Sequence, residues 1–234
     1  MPTITTEHLN KYYVDKKTST AVAALYDVNV TFPDGKFSVI MGSSGSGKTT
    51  LLKTLIGLYP ADEGRIFFDG RDVTDLAVQK RNVSFISQEY ALYPHLTVFD
   101  NVAYPLKIAK VPVEEMRLRV EKILESLAIS LLSSRKIRSL SGGQAQRVAL
   151  ARALVKEPDV VFLDEPLSNL DAPARAAAAD EIKRIATTTK TTFIYVTHNN
   201  DEARRLADYV VVMENGTVKR AEDAESYFSV FGNR

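Results

Sequence analysis

Gly42-Ser43-Ser44-Gly45-Ser46-Gly47-Lys48-Thr49-Thr50 decides the fold class of this chain. The stretch fits G-x-x-x-x-G-K-[ST] without a gap. Its flanks carry as much weight as the pattern. Phe37-Ser38-Val39-Ile40-Met41 reads as a buried strand, and Thr49 to Ile56 reads as the start of a helix ending near Gly57. Strand, glycine-rich loop and helix, in that order, make a phosphate cradle. The glycines let successive backbone N–H groups converge on phosphate oxygens. The helix N-terminus adds roughly half a positive charge aimed at the same place. In such a cradle Lys48 reaches the β- and γ-phosphates, the Thr49 hydroxyl holds Mg²⁺, and Thr50 reaches a further phosphate oxygen. The loop alone specifies a nucleoside triphosphate and nothing finer.

The totals narrow the remaining classes. The chain has 234 residues, enough for one large domain or one domain with an insertion. Charge is balanced, with 30 Lys+Arg against 29 Asp+Glu. That argues against binding nucleic acid through a broad basic surface. With no cysteine there is no disulfide framework and no thiolate metal site, which fits a reducing cytoplasm. Residues 1–7 lack the basic-then-apolar pattern of a signal peptide. No apolar run approaches the ~18–20 residues that span a bilayer, so a membrane role is expected to be peripheral, through a partner.

Outward from the loop, Thr3–Asn10 reads as an edge strand and Lys11–Thr20 as a polar turn headed by Tyr12 and Tyr13. Ala23–Phe32 reads as a second strand closed by Pro33-Asp34-Gly35. Short strands follow at 64–70 and 83–87, the latter ending at Gln88. From Pro94 to Pro158 the spacing turns helical. Val113, Met116, Val120, Ile123, Leu124 and Leu127 form one apolar stripe, opened by Pro112 at a first-turn position. Such a stripe packs a core more often than it binds a ligand. Apolar strands return at 159–163, 191–196 and 209–213. Apolar strands separated by helical patterns imply an α/β fold, its parallel sheet covered on both faces. The expected organisation is a core from 1–88 and 158–234, with a helical insertion at 89–157.

Two further stretches carry chemistry. Val160-Val161-Phe162-Leu163-Asp164-Glu165 is a strand ending in two carboxylates, where ligands of open α/β sheets sit. Asp164 is placed to support Mg²⁺. Glu165 points differently and is suited to accept a proton from water. Leu140-Ser141-Gly142-Gly143-Gln144 precedes a helix through Leu154, with Ser141 as its N-cap. Its exposed amides make a second anion-binding terminus.

Gly42–Thr49, Gln88, Leu140–Gln144, Val160–Glu165, Ser168-Asn169-Leu170-Asp171 and Thr197-His198 occur in this order. Together they resemble the nucleotide-binding subunit of ABC (ATP-binding cassette) transporters, over nearly the whole chain. The resemblance implies a P-loop NTPase core with an N-terminal antiparallel β subdomain and an inserted α-helical subdomain. It implies an Mg²⁺-dependent ATPase in which two subunits sandwich ATP head to tail. Ser141, Gly142, Gly143 and Gln144 then serve the nucleotide of the other subunit. Gln88 touches Mg²⁺ and the catalytic water, Asp171 lies in a loop crossing the dimer interface, and His198 holds the γ-phosphate. Tyr13 resembles the aromatic that stacks on adenine, with adjacent Tyr12 as the alternative. His8 and His95 match no motif.

Tyr90–Val102 and Asp164–Asp171 are similar to the branch importing sugars, polyamines and iron. Ser43 stands where that branch usually has Pro, and Ala145 where it commonly has Gln. The sequence ends at Arg234, ahead of the C-terminal regulatory β-domain that many such importers carry. The resemblance implies transmembrane permease subunits, a second ATP-binding subunit (the same chain or a relative), an external substrate-binding protein, and a place on the cytoplasmic face of the membrane. Rival readings are a soluble ABC ATPase acting on DNA or the ribosome, an exporter or lipid-extraction ATPase, and a regulatory cassette without turnover. The single cassette, the lack of sustained heptads and the balanced charge disfavour the first. Glu165 and His198 disfavour the last.

Overall fold

A computed structural model describes residues 1–14, 20–189 and 191–231. Its strands are β1 Ile4–Val14, β2 Ala21–Phe32, β3 Phe37–Met41, β4 Glu63–Phe68, β5 Arg71–Asp72, β6 Val83–Ile86, β7 Val160–Asp164, β8 Thr192–Val196, β9 Tyr209–Glu214 and β10 Thr217–Asp223. Its helices are α1 Lys48–Ile56, α2 Val98–Ile108, α3 Val113–Ser126, α4 Gly142–Leu154, α5 Ala172–Thr188, α6 Asn200–Leu206 and α7 Ala224–Phe231.

Two sheets form. The first runs β2-β1-β4-β5, all antiparallel. The second runs β10-β9-β3-β8-β7-β6, parallel from β9 to β6, with β10 antiparallel at one edge. The parallel strands are buried on both faces, which is why they are continuous apolar runs. Alternate residues go to opposite sides. Ile40, Phe162, Ile194 and Val211 pack with Leu51, Leu52 and Leu55 of α1 and with Ile4 and Phe32 of the first sheet. Val39, Val161, Phe193 and Tyr195 pack with the helices from α2 to α6. The helix α1 therefore lies between the two sheets, its N-terminus fixed where β3 ends.

Several expectations need correction. Residues 3–10 do not make an edge strand: β1 pairs with both β2 and β4. The strand also continues through Tyr12 and Tyr13 to Val14, where a turn was expected; residues 15–19 of that turn lie outside the described residues. Alternation is weak in β1 because bulges interrupt its register. In α3, Met116, Val120, Leu124 and the following Leu127 are buried, but Val113 is 69% exposed. Pro112 caps that helix from just outside its first turn.

Candidate nucleotide site

The phosphate loop is wedged against backbone from two directions. The Gly216 N–H donates to the Ser46 carbonyl at 3.1 Å, and the Tyr26 N–H donates to the Gly216 carbonyl at 2.9 Å. The β9–β10 turn thus links the loop to β2. A Cβ on Gly42 would sit 2.3 Å from the Met213 carbonyl oxygen, and one on Gly47 2.6 Å from that of Ala24. Gly47 also holds φ +98°, so both close approach and left-handed backbone require glycine there. Gly45 is different: φ is +79°, yet its Cβ would meet open space.

Lys48 is 5% exposed and donates to the Gly42 and Ser43 carbonyls at 2.8 and 2.7 Å. Its ammonium therefore folds over the loop it belongs to. Burial pulls its pKa below the usual lysine range, opposed by the charges of Glu165 and Asp164. The Thr49 hydroxyl donates to Asp164 Oδ1 at 2.9 Å, joining the loop to the end of β7. Burial pushes the Asp164 carboxyl above its ordinary range, opposed by that hydrogen bond and by Lys53 and Lys48. One residue on, Glu165 takes φ +46°. Its Oε1 lies 3.1 Å from His198 Nδ1, at the end of β8. Ser43, Asp164, Glu165 and His198 thus leave the C-terminal ends of three adjacent parallel strands, β3, β8 and β7. Ser44 is exposed, the buried Ser46 Oγ has no partner, and Thr50 is half-buried in the first turn of α1.

The remaining candidates lie around this centre. Gln88 is exposed just beyond β6, and the Asn169 side-chain amide donates to its carbonyl at 3.5 Å. Ser141 and Gln144 make a reciprocal cap at the start of α4, with Ser141 N–H to Gln144 Oε1 at 3.1 Å and Gln144 N–H to Ser141 Oγ at 3.3 Å. Gly142 and Gly143 are exposed, and a Cβ on Gly142 would lie 3.4 Å from Leu170. Asp171 caps α5 through the Ala174 N–H at 2.9 Å. Tyr13 is 43% exposed and meets Tyr59 edge-on at 6.3 Å, with Lys11 5.9 Å above its ring. Tyr12 is half-buried, and its N–H donates to Asp62 at 2.6 Å. His8 pairs with Asp27, and His95 packs against Tyr93.

Some contacts gave no sequence signal. The Tyr90 hydroxyl donates to the Pro166 carbonyl at 2.8 Å, beside Glu165, and burial pushes its pKa up to about 12. Arg152 donates to the Tyr90 and Ala91 carbonyls at 2.6 and 2.8 Å. Arg152 stands outside any motif, and Tyr90, which opens the stretch similar to the importer branch, carried no sign of this contact.

A phosphate loop bonded to a strand-end aspartate, with a second carboxylate alongside, defines a P-loop nucleoside-triphosphate-binding protein. The family model described as ABC transporter matches residues 25–168. The spermidine/putrescine import ATP-binding protein PotA of Hahella chejuensis (strain KCTC 2396) is 48% identical over 192 residues, 82% of this chain and 53% of the relative. The chain therefore belongs to the ABC transporter family, and it spans about half the length of that curated relative. Among solved structures, cbiO1 from Clostridium perfringens, part of the ABC transporter complex cbiONQ, superposes with a TM-score of 0.86 at 28% identity, covering 97% of this chain and 90% of its own. A dimeric ATP-binding cassette, MJ0796, in a post-hydrolysis state bound to ADP and Pi gives 0.79 at 31% identity, covering 94% and 98%. The fold is that of the ABC ATPases. Among the described residues, no helix is long and apolar enough to cross a membrane.

Proposed function

We propose that this chain is the ATP-hydrolysing subunit of an ABC importer, working as a head-to-tail dimer beneath separate membrane-spanning permease subunits. The observation that carries the proposal is the meeting of Thr49, Asp164, Glu165 and His198 at the ends of adjacent strands. Residues 1–88 and 158–234 form the nucleotide-binding core and 89–157 the helical subdomain. Thr49 and Asp164 offer Mg²⁺ a hydroxyl and a carboxylate, the hard oxygen donors it prefers, with Gln88 as a further contact. No group of three or more His, Cys, Asp or Glu side chains that could hold a metal occurs among the described residues. Bound by Thr49 and Asp164, Mg²⁺ neutralises charge on the phosphates and orients them.

The chain's own residues do the rest. Gly42, Ser43, Ser44, Gly45, Ser46 and Gly47 present backbone amides, and Lys48 leaves its carbonyl partners for phosphate oxygens. Thr50 adds a hydroxyl, and Tyr13 stacks on the base. Glu165 takes a proton from the attacking water while His198 holds the γ-phosphate. Ser141, Gly142, Gly143 and Gln144 face the nucleotide of a second subunit. Closure of that pair, passed through Gln88 and 90–95 to a permease, drives transport from the cytoplasmic face. Cargo selection then belongs to the permease and an external capture protein. The importer assignment rests on the likeness to PotA.

Glu165→Gln should keep ATP binding and lose ~10²–10⁴-fold in turnover; near-normal turnover excludes Glu165 as the general base. The same variant, tagged and held with Mg-ATP, should retain a multi-span membrane protein from detergent-extracted native membranes. Recovery of ribosomal or DNA-bound proteins in its place would reject the transporter role.

A further inference from the structure

Glu202, on α6, is a carboxylate buried beneath the site. Its side chain is 5% exposed. Oε2 accepts hydrogen bonds from the Tyr195 hydroxyl at 2.8 Å and the Thr197 hydroxyl at 2.7 Å. Oε1 lies 3.5 Å from Arg175 Nε. The Thr197 oxygen also accepts the Asn199 N–H at 3.0 Å, and the Asn199 side chain accepts the Glu202 N–H at 3.1 Å. The residues on both sides of His198 are therefore tied to Glu202. The His198 ring itself is 63% exposed and meets Glu165. An exposed ring on a short turn takes its aim from its backbone, and here that backbone is held at 197 and 199.

Arg175 extends the connection. Its guanidinium donates to the Leu170 carbonyl at 2.7 Å and the Leu167 carbonyl at 3.4 Å. These carbonyls belong to the segment between Glu165 and Asp171. One ion pair thus joins the two segments that leave β7 and β8 carrying Glu165 and His198. A buried carboxylate is a poor way to gain stability, since apolar replacements of similar volume often match it. What it supplies is direction: fixed acceptors that two hydroxyls and a guanidinium can share.

We propose that Glu202 and Arg175 are positioning residues, which set His198 against Glu165 and carry the placement of residues 167–171 to that histidine. This rests on the assignment of His198 to the γ-phosphate. The test uses the full chain with Mg-ATP. Glu202→Gln and Arg175→Lys should each lower kcat at least about 10-fold while KM and ATP affinity stay within about twofold, as expected for misplacement of a group that acts in the transition state. Thr197→Val should repeat the loss and Thr197→Ser should rescue it. The chain has three histidines, so the His198 ring resonances can be identified by comparison with His198→Ala. They should shift or split in Glu202→Gln at temperatures well below that variant's Tm. Unaltered kcat, a kcat loss that tracks Tm, or unmoved His198 resonances would each overturn the proposal. His198→Ala with native turnover would overturn the γ-phosphate assignment itself, and this proposal with it.

Discussion

Asp164 is held in an uncomfortable state. Burial raises its pKa above the ordinary 3.8, against the pull of the Thr49 hydroxyl and two lysines. A group whose pKa is raised on folding gives stability that is fully present below the unfolded value and lost as pH rises through the folded one. At neutral pH the ionised Asp164 therefore weakens the nucleotide-free protein, and a bound cation relieves it. Asparagine keeps an oxygen for Thr49 and removes the charge. Asp164→Asn should raise the nucleotide-free Tm at pH 7. The gain should shrink as pH falls and the native carboxyl takes up its proton, and stabilisation by Mg-ATP should be lost at every pH. Calorimetry as a function of pH reads all three effects. An Asn variant less stable than the native chain at pH 7 would show the charge to be compensated without a cation.

At the scale of elements, the phosphate loop depends on the strands behind it as much as on its own sequence. Gly47 is pressed against the Ala24 carbonyl of β2, while Gly45 faces open space at a similar left-handed φ. Gly45→Ala should fold and bind nucleotide, at about 1–2 kcal/mol of backbone strain. Gly47→Ala must move either β2 or the loop, so nucleotide affinity should fall well below that of Gly45→Ala. Titration with a fluorescent ATP analogue separates the two; equal losses would mean that strain, not the contact with β2, governs the loop. The same contrast explains what was legible in the sequence. The loop, β3 and β7 could be read because a strand buried on both faces shows itself locally, as an apolar run. The interior place of β1 could not, because it depends on pairing with β4, roughly sixty residues away. Strand β10 has the sequence Thr-Val-Lys-Arg-Ala-Glu-Asp and is an exposed edge, so it carried no apolar signal. Asp164, Glu165 and His198 could be read from their motifs. Glu202 and Arg175 could not: each stands on a helix where a lone charge ordinarily faces solvent, and only the packing of α5 beside α6 brings them together.

For the whole molecule, the unanswered surface is the one around Ser141. Ser141 and Gln144 satisfy each other's N–H groups, Gly142 and Gly143 between them are exposed, and Gly143 has nothing within 4 Å of where its Cβ would be. The second anion site proposed for this turn, in a chain with one phosphate loop, calls for two copies paired by a twofold axis. Each turn then completes the other copy's loop, and one interaction is made twice. The nucleotide becomes part of the interface, so assembly should follow its occupancy. Glu165→Gln with Mg-ATP should double the mass of a single chain by light scattering, and Mg-ADP should return it to one chain. Adding Ser141→Arg places a bulky side chain on the paired surface. It should abolish the doubling while leaving each chain's own loop able to bind ATP about as tightly as before. If Ser141→Arg lost ATP binding together with the doubling, the turn at 141–144 would act on its own chain's nucleotide. If Glu165→Gln stayed single at saturating Mg-ATP, nucleotide alone could not hold the pair, and the permease would have to supply the remaining contact.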